Sequence, residues 1–344
     1  MMAANKAGLR LTLDNGTDLA AKINPRHLSL TLVEKRDGSA DELSLSLQNV
    51  DGRLAVPSAG AILSLALGWE SRIDDHPVGL IEKGRFRVDE VEESGPPDII
   101  TIRARSADLA GTYAKRRNRV WHDTTLGAVI ADIAARHGIT ARVHPDLAGE
   151  PIEALEQHNK SDMAMVQDLG KRFDAVATWK DRKILILPKG STTTAGGKTI
   201  QAITLSRQDG WRWRYIRSER GAQSGVEAQY HDGSTGARKT VSEGSGDAYR
   251  LKHIYASKSS ATRAAKSNLA KRQREKSKFE YYLAVADCRL RPNQRVALTG
   301  WSAAVGGTKW LVESIDTTMD AGGIKQMVRF EGGVKFYQLP LASR

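Results

Sequence analysis

One cysteine, Cys288, stands in 344 residues. It excludes an intramolecular disulfide and argues against a cysteine-built zinc site. Aromatic residues are scarce, at 6 %. No stretch approaches the roughly 20 consecutive apolar residues that span a bilayer. The N-terminus, "MMAANKAGLRLTLDNG", has no long apolar core of the secretory type. These absences predict a chain made in a reducing cytoplasm, which stays there or leaves by a route other than general secretion. The apolar fraction of 40 % and charged fraction of 27 % are those of an ordinary globular protein, and the length suits two or three domains. The charge is +12, from 52 Lys and Arg against 40 Asp and Glu. That balance permits phosphate binding and equally docking on acidic protein surfaces.

Catalytic signatures are also missing. The eight histidines are His27, His76, His122, His137, His144, His158, His231 and His253, and none has metal-ligand spacing. "DDH" at Asp74–His76 reads as a polar turn beside Pro77, and His122-Asp123 as turn chemistry before a helix. "AGGKT", ending at Thr199, imitates a phosphate loop, but Thr192 occupies the position of the required first glycine. No G-x-S-x-G elbow occurs. A pair of carboxylates for glycoside hydrolysis is defined by geometry and leaves no sequence signature. The residues therefore nominate no catalytic, cofactor-binding or metal-binding site.

What is present is alternation. Leu9, Leu11 and Leu13 precede Asn15-Gly16, a two-residue hairpin signal. Leu28, Leu30 and Leu32 alternate before a charged turn at Asp37-Gly38, and Leu43, Leu45 and Leu47 after it. Strand patterns continue through "AILSLALGW", "GRFRVDEV" and "DIITIRARS", so residues 1–109 read as an antiparallel β unit. Helical spacing then places Leu126, Val129, Ile130 and Ile133 on one face, with Thr124 or Thr125 as N-cap and Gly138 as the C′ residue. In "SDMAMVQDLGKRFDAVATWKDRKILIL", Ser161 caps a helix whose apolar stripe is Met163, Val166, Leu169 and Phe173. A hairpin turning at Asp181-Arg182 follows, and Met163 and Met165 read as core or near-core packing. Residues 110–190 thus form a small α/β insert.

"STTTAGGKT" marks residues 191–204 as a linker or a long hairpin tip. Residues 205–335 return to strands with one helix, and 336–344 form a tail. In "WRWRYIR", Trp211, Trp213 and Tyr215 share one strand face, with Arg212 and Arg214 on the other, which fits a half-buried strand. The helix at 261–278, capped by Ser259 or Ser260, has a thin alanine stripe. Its basic face carries Lys266, Lys271, Arg272, Arg274, Lys276 and Lys278, and reads as solvated or as meeting an acidic partner.

Several stretches together resemble one family. They are "ADELSLSLQNVDGRLAVPSAGAILSLALGW", "GRFRVDEVEESGPPDIITIRARSADL", "KRRNRVWHDTTLGAVIADIAARHGI", "HNKSDMAMVQDLGKRFDAVATWKDRKILIL" and "LRPNQRVALTGW" with "TKWLVESIDTTM". In order, from about residue 9 to 333, this is similar to the phage late control D family, the baseplate hubs of contractile tails. The hubs of tail-like bacteriocins and of type VI secretion spikes share that architecture. Asp174 departs from the family pattern, standing where a turn glycine is more usual. The resemblance implies a mainly β fold, with two tail-tube-like antiparallel β-barrel domains flanking the α/β insert. It implies a non-enzymatic virion protein of the tail baseplate, assembled in the host cytoplasm without cofactors. Its implied partners are two further copies in a homotrimer, a trimeric spike protein, a hexameric tail tube protein, baseplate wedge proteins and the tape measure protein, with DNA only as passing cargo. Three copies of a two-unit chain would match a six-fold tube to a three-fold spike and seed the tube. Two other readings compete: a wall-degrading baseplate enzyme, and a DNA-binding tail protein using the basic helix.

Overall fold

The computed structural model describes residues 5–36, 38–55, 57–71, 78–106, 112–180, 182–218 and 224–333. Asp37, Asp74–His76, Asp181 and the tail at 336–344 lie outside the described residues.

The first β unit comprises β1 (Lys6–Leu13), the short helix α1 (Ala20–Ile23), β2 (His27–Lys35), β3 (Glu42–Gln48), β4 (Ile62–Ser71), β5 (Gly79–Ser94) and β6 (Ile99–Ser106). Period-2 alternation puts Leu30, Leu32, Leu43, Leu45 and Leu47 on one face, and all are buried. The Asn15-Gly16 turn forms, with Gly16 at φ 83°, but no hairpin follows. After one bridge, Thr12 to Asp18, the chain enters α1, and β1 pairs with β4 instead. The leucine face of β1 gains more by joining the buried Leu63, Leu65 and Leu67 of β4 than a local partner could supply.

The insert contains β7 (Arg116–Thr125), α2 (Leu126–Arg136), β8 (Thr140–Val143), α3 (Pro145–Ala148), β9 (Pro151–Ser161), α4 (Asp162–Arg172), β10 (Ala175–Lys180) and β11 (Lys183–Pro188). Thr125 caps α2 by accepting from Ala128 N, and Gly138 follows the helix at φ 62°. Ser161 caps α4 by accepting from Ala164 N. Leu126, Val129, Ile130 and Ile133 pack with Met165, Val166, Leu169 and Phe173 against β10 and β11. Met163 sits at the margin of this cluster. His122 and Asp123 lie within β7 rather than in a turn, because the β7–β9 ladder runs up to the cap residue.

The second β unit comprises β12 (Ile203–Ser206), β13 (Gly210–Arg217), β14 (Gly225–His231), β15 (Arg238–Gly244), β16 (Ala248–Tyr255), α5 (Lys258–Glu275), β17 (Ser277–Leu283), β18 (Arg295–Thr299), α6 (Ala303–Gly306), β19 (Trp310–Asp320) and β20 (Gly323–Gly332). The low-complexity stretch before it closes into a small turn through a Thr193–Thr199 bridge. Strands β14, β15 and β16 form a separate sheet, whose Val226, Ala228 and Tyr230 pack on Ala261 and Ala265 of α5. The cap of α5 is Ser257, which accepts from Ser260 N, and not Ser259 or Ser260 as expected. Ser259 instead donates to Glu153 of the insert.

The decisive joint is β2 with β19. Their antiparallel pairing, Leu30 to Met319 through Lys35 to Ser314, fuses the two β units edge to edge. The strand order along the fused sheet is β1-β4-β5-β6-β3-β2-β19-β20-β17-β13, with β18 and β12 branching from β19. Every pairing along that path is antiparallel. The fold is mainly β with an α/β insert. Across the joint, Lys83 lies fully buried, with its Nζ 2.9 Å from Glu34 and 3.4 Å from the Leu290 carbonyl. The Trp69 indole donates to the Ala286 carbonyl at 2.9 Å.

Candidate assembly surface

Alternation gives the fused sheet two unlike faces. One packs onto the apolar clusters. The other presents polar rows that cross several strands in register. Arg103, Ser44, Thr31, Thr318 and Lys325 form one row across β6, β3, β2, β19 and β20. Lys35, Ser314, Arg329, Glu280 and Arg214 form another, from β2 to β13. A cleft of about 450 Å³ opens beside the second row, lined by Lys35, Arg36, Lys189, Lys278, Arg329 and Glu280 among others. Burial pushes the Lys189 ammonium below its ordinary range, and Asp174 offsets part of that.

The basic helix does not present the solvated face expected of it. Arg274 is buried, with 4 % exposure. Its guanidinium donates to both oxygens of Asp174, at 2.6 Å for Nη1 to Oδ2, and its Nε lies 2.9 Å from Glu331. Arg36 also reaches Glu331, at 2.7 Å, and Lys189 reaches Asp174 at 3.4 Å. This network ties both β units and the insert together. Asp174 holds φ 48°, a backbone state that glycine adopts more easily. Its carboxylate supplies what glycine could not, an anchor for Arg274. Arg263 donates to Glu150 at 3.1 Å and lies over the Phe173 ring. Arg272 stacks 3.7 Å above the Tyr249 ring. Lys266 and Lys271 keep only long contacts to Glu243 and Glu275. Lys278 belongs to β17, since the helix ends at Glu275.

The aromatic strand departs in the opposite direction. Trp211 and Trp213 are 66 % and 41 % exposed, where a half-buried strand predicts burial. Strand β13 ends the sheet, paired with β17 on one side and, among the described residues, with nothing on the other. Trp211 lies 5.5 Å from the Tyr282 ring and Trp213 is stacked 6.1 Å from Phe279, both over the margin of the sheet. Gly210 starts the strand because a Cβ there would meet the Tyr282 carbonyl at 2.2 Å.

One constellation left no trace in the sequence. Asp162, fully buried in the first turn of α4, meets His137 Nε2 at 2.8 Å, Gln157 Nε2 at 2.9 Å and Arg136 at 3.2 Å. They come from three places in the chain, the end of α2 with its cap, β9 and α4, and helix spacing shows only that Asp162 suits an N-terminus. With no nucleophile among them, they act as a polar clamp on the insert. His144 caps α3 and meets Thr193 Oγ1 at 2.7 Å, fixing the turn that follows β11.

Known proteins share this architecture. The family described as phage tail baseplate hub (GPD) matches residues 42–323. A probable baseplate hub protein of Escherichia phage 186 is 32 % identical, over 93 % of this chain and 92 % of that one. Among solved structures, a 43 kDa tail protein of prophage MuSo2 from Shewanella oneidensis has a TM-score of 0.65 at 14 % identity, covering 94 % and 97 % of the two chains. The E. coli c3393 protein, a component of the type VI secretion system, has a TM-score of 0.59 at 12 % identity, covering 98 % of this chain and 80 % of that one. By family match and by identity along nearly its whole length, the chain belongs to the phage tail baseplate hub family.

Proposed function

We propose that three copies of this chain form a ring in the tail baseplate that adapts a six-fold tail tube to a three-fold spike and seeds assembly of the tube. The observation that carries this reading is the β2–β19 joint. It joins two β units in one sheet; if each acts as one tube-like unit, three chains offer six quasi-equivalent units while keeping a true three-fold axis. In this reading residues 1–109 and 205–335 are the two tube-like units. The insert at 110–190 stands outside the ring, held by the Arg274–Asp174 contact. The polar rows of the sheet line the channel. Those rows alternate serine and threonine with Arg103, Lys325, Lys35, Arg329 and Arg214 and the single acid Glu280, so the channel wall is polar and carries mostly positive charge. Assembly takes place in the host cytoplasm, with the spike below, the tube above, wedge proteins around and the tape measure within. The function requires binding surfaces only, and no catalytic group.

The DNA-binding alternative loses its main support, because the strongest cations of α5 are engaged inside the chain. Deleting the gene tests the hub reading. Loss of all contractile tails is the expected result, and normal tails in its absence contradict it.

A further inference from the structure

Among the edges that the fused sheet leaves unpaired in the described residues, two stretches carry opposite charge. The first is β13, whose exposed residues include Arg212, Arg214 and Arg217, with no acid on the strand. The second lies within β5. Strand β4 covers β5 only as far as Arg87, and Val88 bonds to Ala61 and Gly60. Asp89 is bulged out of the ladder, and from Glu90 to Ser94 β5 pairs with β6 on one side and, among the described residues, with nothing on the other. Asp89 and, within that stretch, Glu90, Glu92 and Glu93 are all exposed. Arg103 and Arg105 of β6 face three of these four carboxylates through exposed contacts of 2.7 to 3.5 Å.

We infer that β13 of one copy pairs antiparallel with the Glu90–Ser94 edge of β5 in the next copy. This is the seam of the ring, and it rests on the trimeric reading above. Three arguments support it. The first is charge, since an arginine-rich strand meets an acidic one and like-sign pairings are disfavoured. The second is strand direction. Seven successive antiparallel pairings separate β5 from β13, so the two run oppositely within one chain. A copy related by rotation about an axis along the strands presents its β5 antiparallel to β13, and the ladder continues unbroken. The third is the exposed pair Trp211 and Trp213, which an added strand would cover. The other end of the sheet fits poorly. Strand β1 carries Lys6 and Arg10, and its outer side is already met by Leu19 N on Leu11 O and Leu13 N on Thr17 O.

The test compares full-length charge reversals in whichever sample makes the wild type a trimer, the chain alone or the chain with its spike. Arg212→Glu with Arg214→Glu, and separately Glu90→Arg with Glu92→Arg, should each weaken trimerisation more than about tenfold. All four changes in one chain should restore it, because every seam is then complementary again. A mixture of the two half-reversed chains should not close a trimer, since an odd ring must contain one mismatched seam. Half-reversed chains as trimeric as the wild type overturn the seam, as does a folded four-fold variant that stays monomeric. Should the reversals unfold the chain, Glu92→Cys with Arg214→Cys under mild oxidation gives an independent reading. Cross-linking into covalent trimers supports the seam, and cross-linking no better than a single-cysteine control overturns it. A wild type that never trimerises contradicts the ring itself, an outcome distinct from failure of the seam.

Discussion

Helix α5 and strand β13 are both arginine-rich stretches of the second β unit, yet they spend their charge in opposite ways. Arg274 and Arg263 of the helix turn inward, onto Asp174, Glu331 and Glu150. The arginines of β13 point to solvent beside two exposed tryptophans. Local pattern suggested the reverse, a solvated helix and a half-buried strand. The difference shows that basic composition specifies charge without specifying its partner. An arginine becomes structural when a carboxylate reaches it from another unit, and it remains available for assembly when the sheet ends beside it.

The contrast can be broken most sharply at Arg274. Arg274→Ala leaves Asp174 and Glu331 short of a buried counter-charge, so chemical denaturation should show a loss of about 3–5 kcal/mol. A neutral result would place α5 on the assembly side with β13. Trp211→Ser with Trp213→Ser should do the converse. Monomer stability should change by less than about 1 kcal/mol, while trimer formation weakens more than about tenfold, read by sedimentation. Lys271→Glu marks the remaining exposed part of the helix. It alters one long contact with Glu275, so the thermal midpoint should move by the equivalent of less than about 0.5 kcal/mol, with trimerisation unchanged.

A comparably small effect concerns Asp41, whose carboxyl is pushed above its ordinary range by burial, with Lys180 opposing. A raised folded-state value favours the protonated acid. The stability it contributes is complete below the ordinary carboxylate range and is lost as pH rises through the raised value. Asp41→Asn should therefore flatten that decline, by less than about 1 kcal/mol, in melts taken from pH 4 to pH 7. A decline of unchanged slope in the variant would assign it to other groups.

Features legible in the sequence were those that neighbours along the chain determine. The cap of α2 at Thr125, Gly138 beyond its end, the cap of α4 at Ser161 and the buried leucines of β2 and β3 follow from spacing alone, except that Leu28, at a bulge between β2 and β3, is 41 % exposed instead of joining Leu30 and Leu32. The family was legible too, because its stretches recur in order. Long-range pairing was not. Strands β2 and β19 lie at opposite ends of the chain, and alternation is the same whether a strand has two neighbours or one. The edge status of β13, the uncovered half of β5 and the bond from Arg274 to Asp174 all depend on such pairings. The candidate surface therefore emerges only from the folded chain, although every residue in it was visible as a charge or a ring.

The central claim is the trimer, and molar mass by light scattering tests it most directly, on the chain alone and then mixed with its spike. A mass three times 37.6 kDa in either sample, counted for this chain, is the predicted result. A monomer in both would contradict the ring and leave the two edges of the sheet without the partner assigned to them.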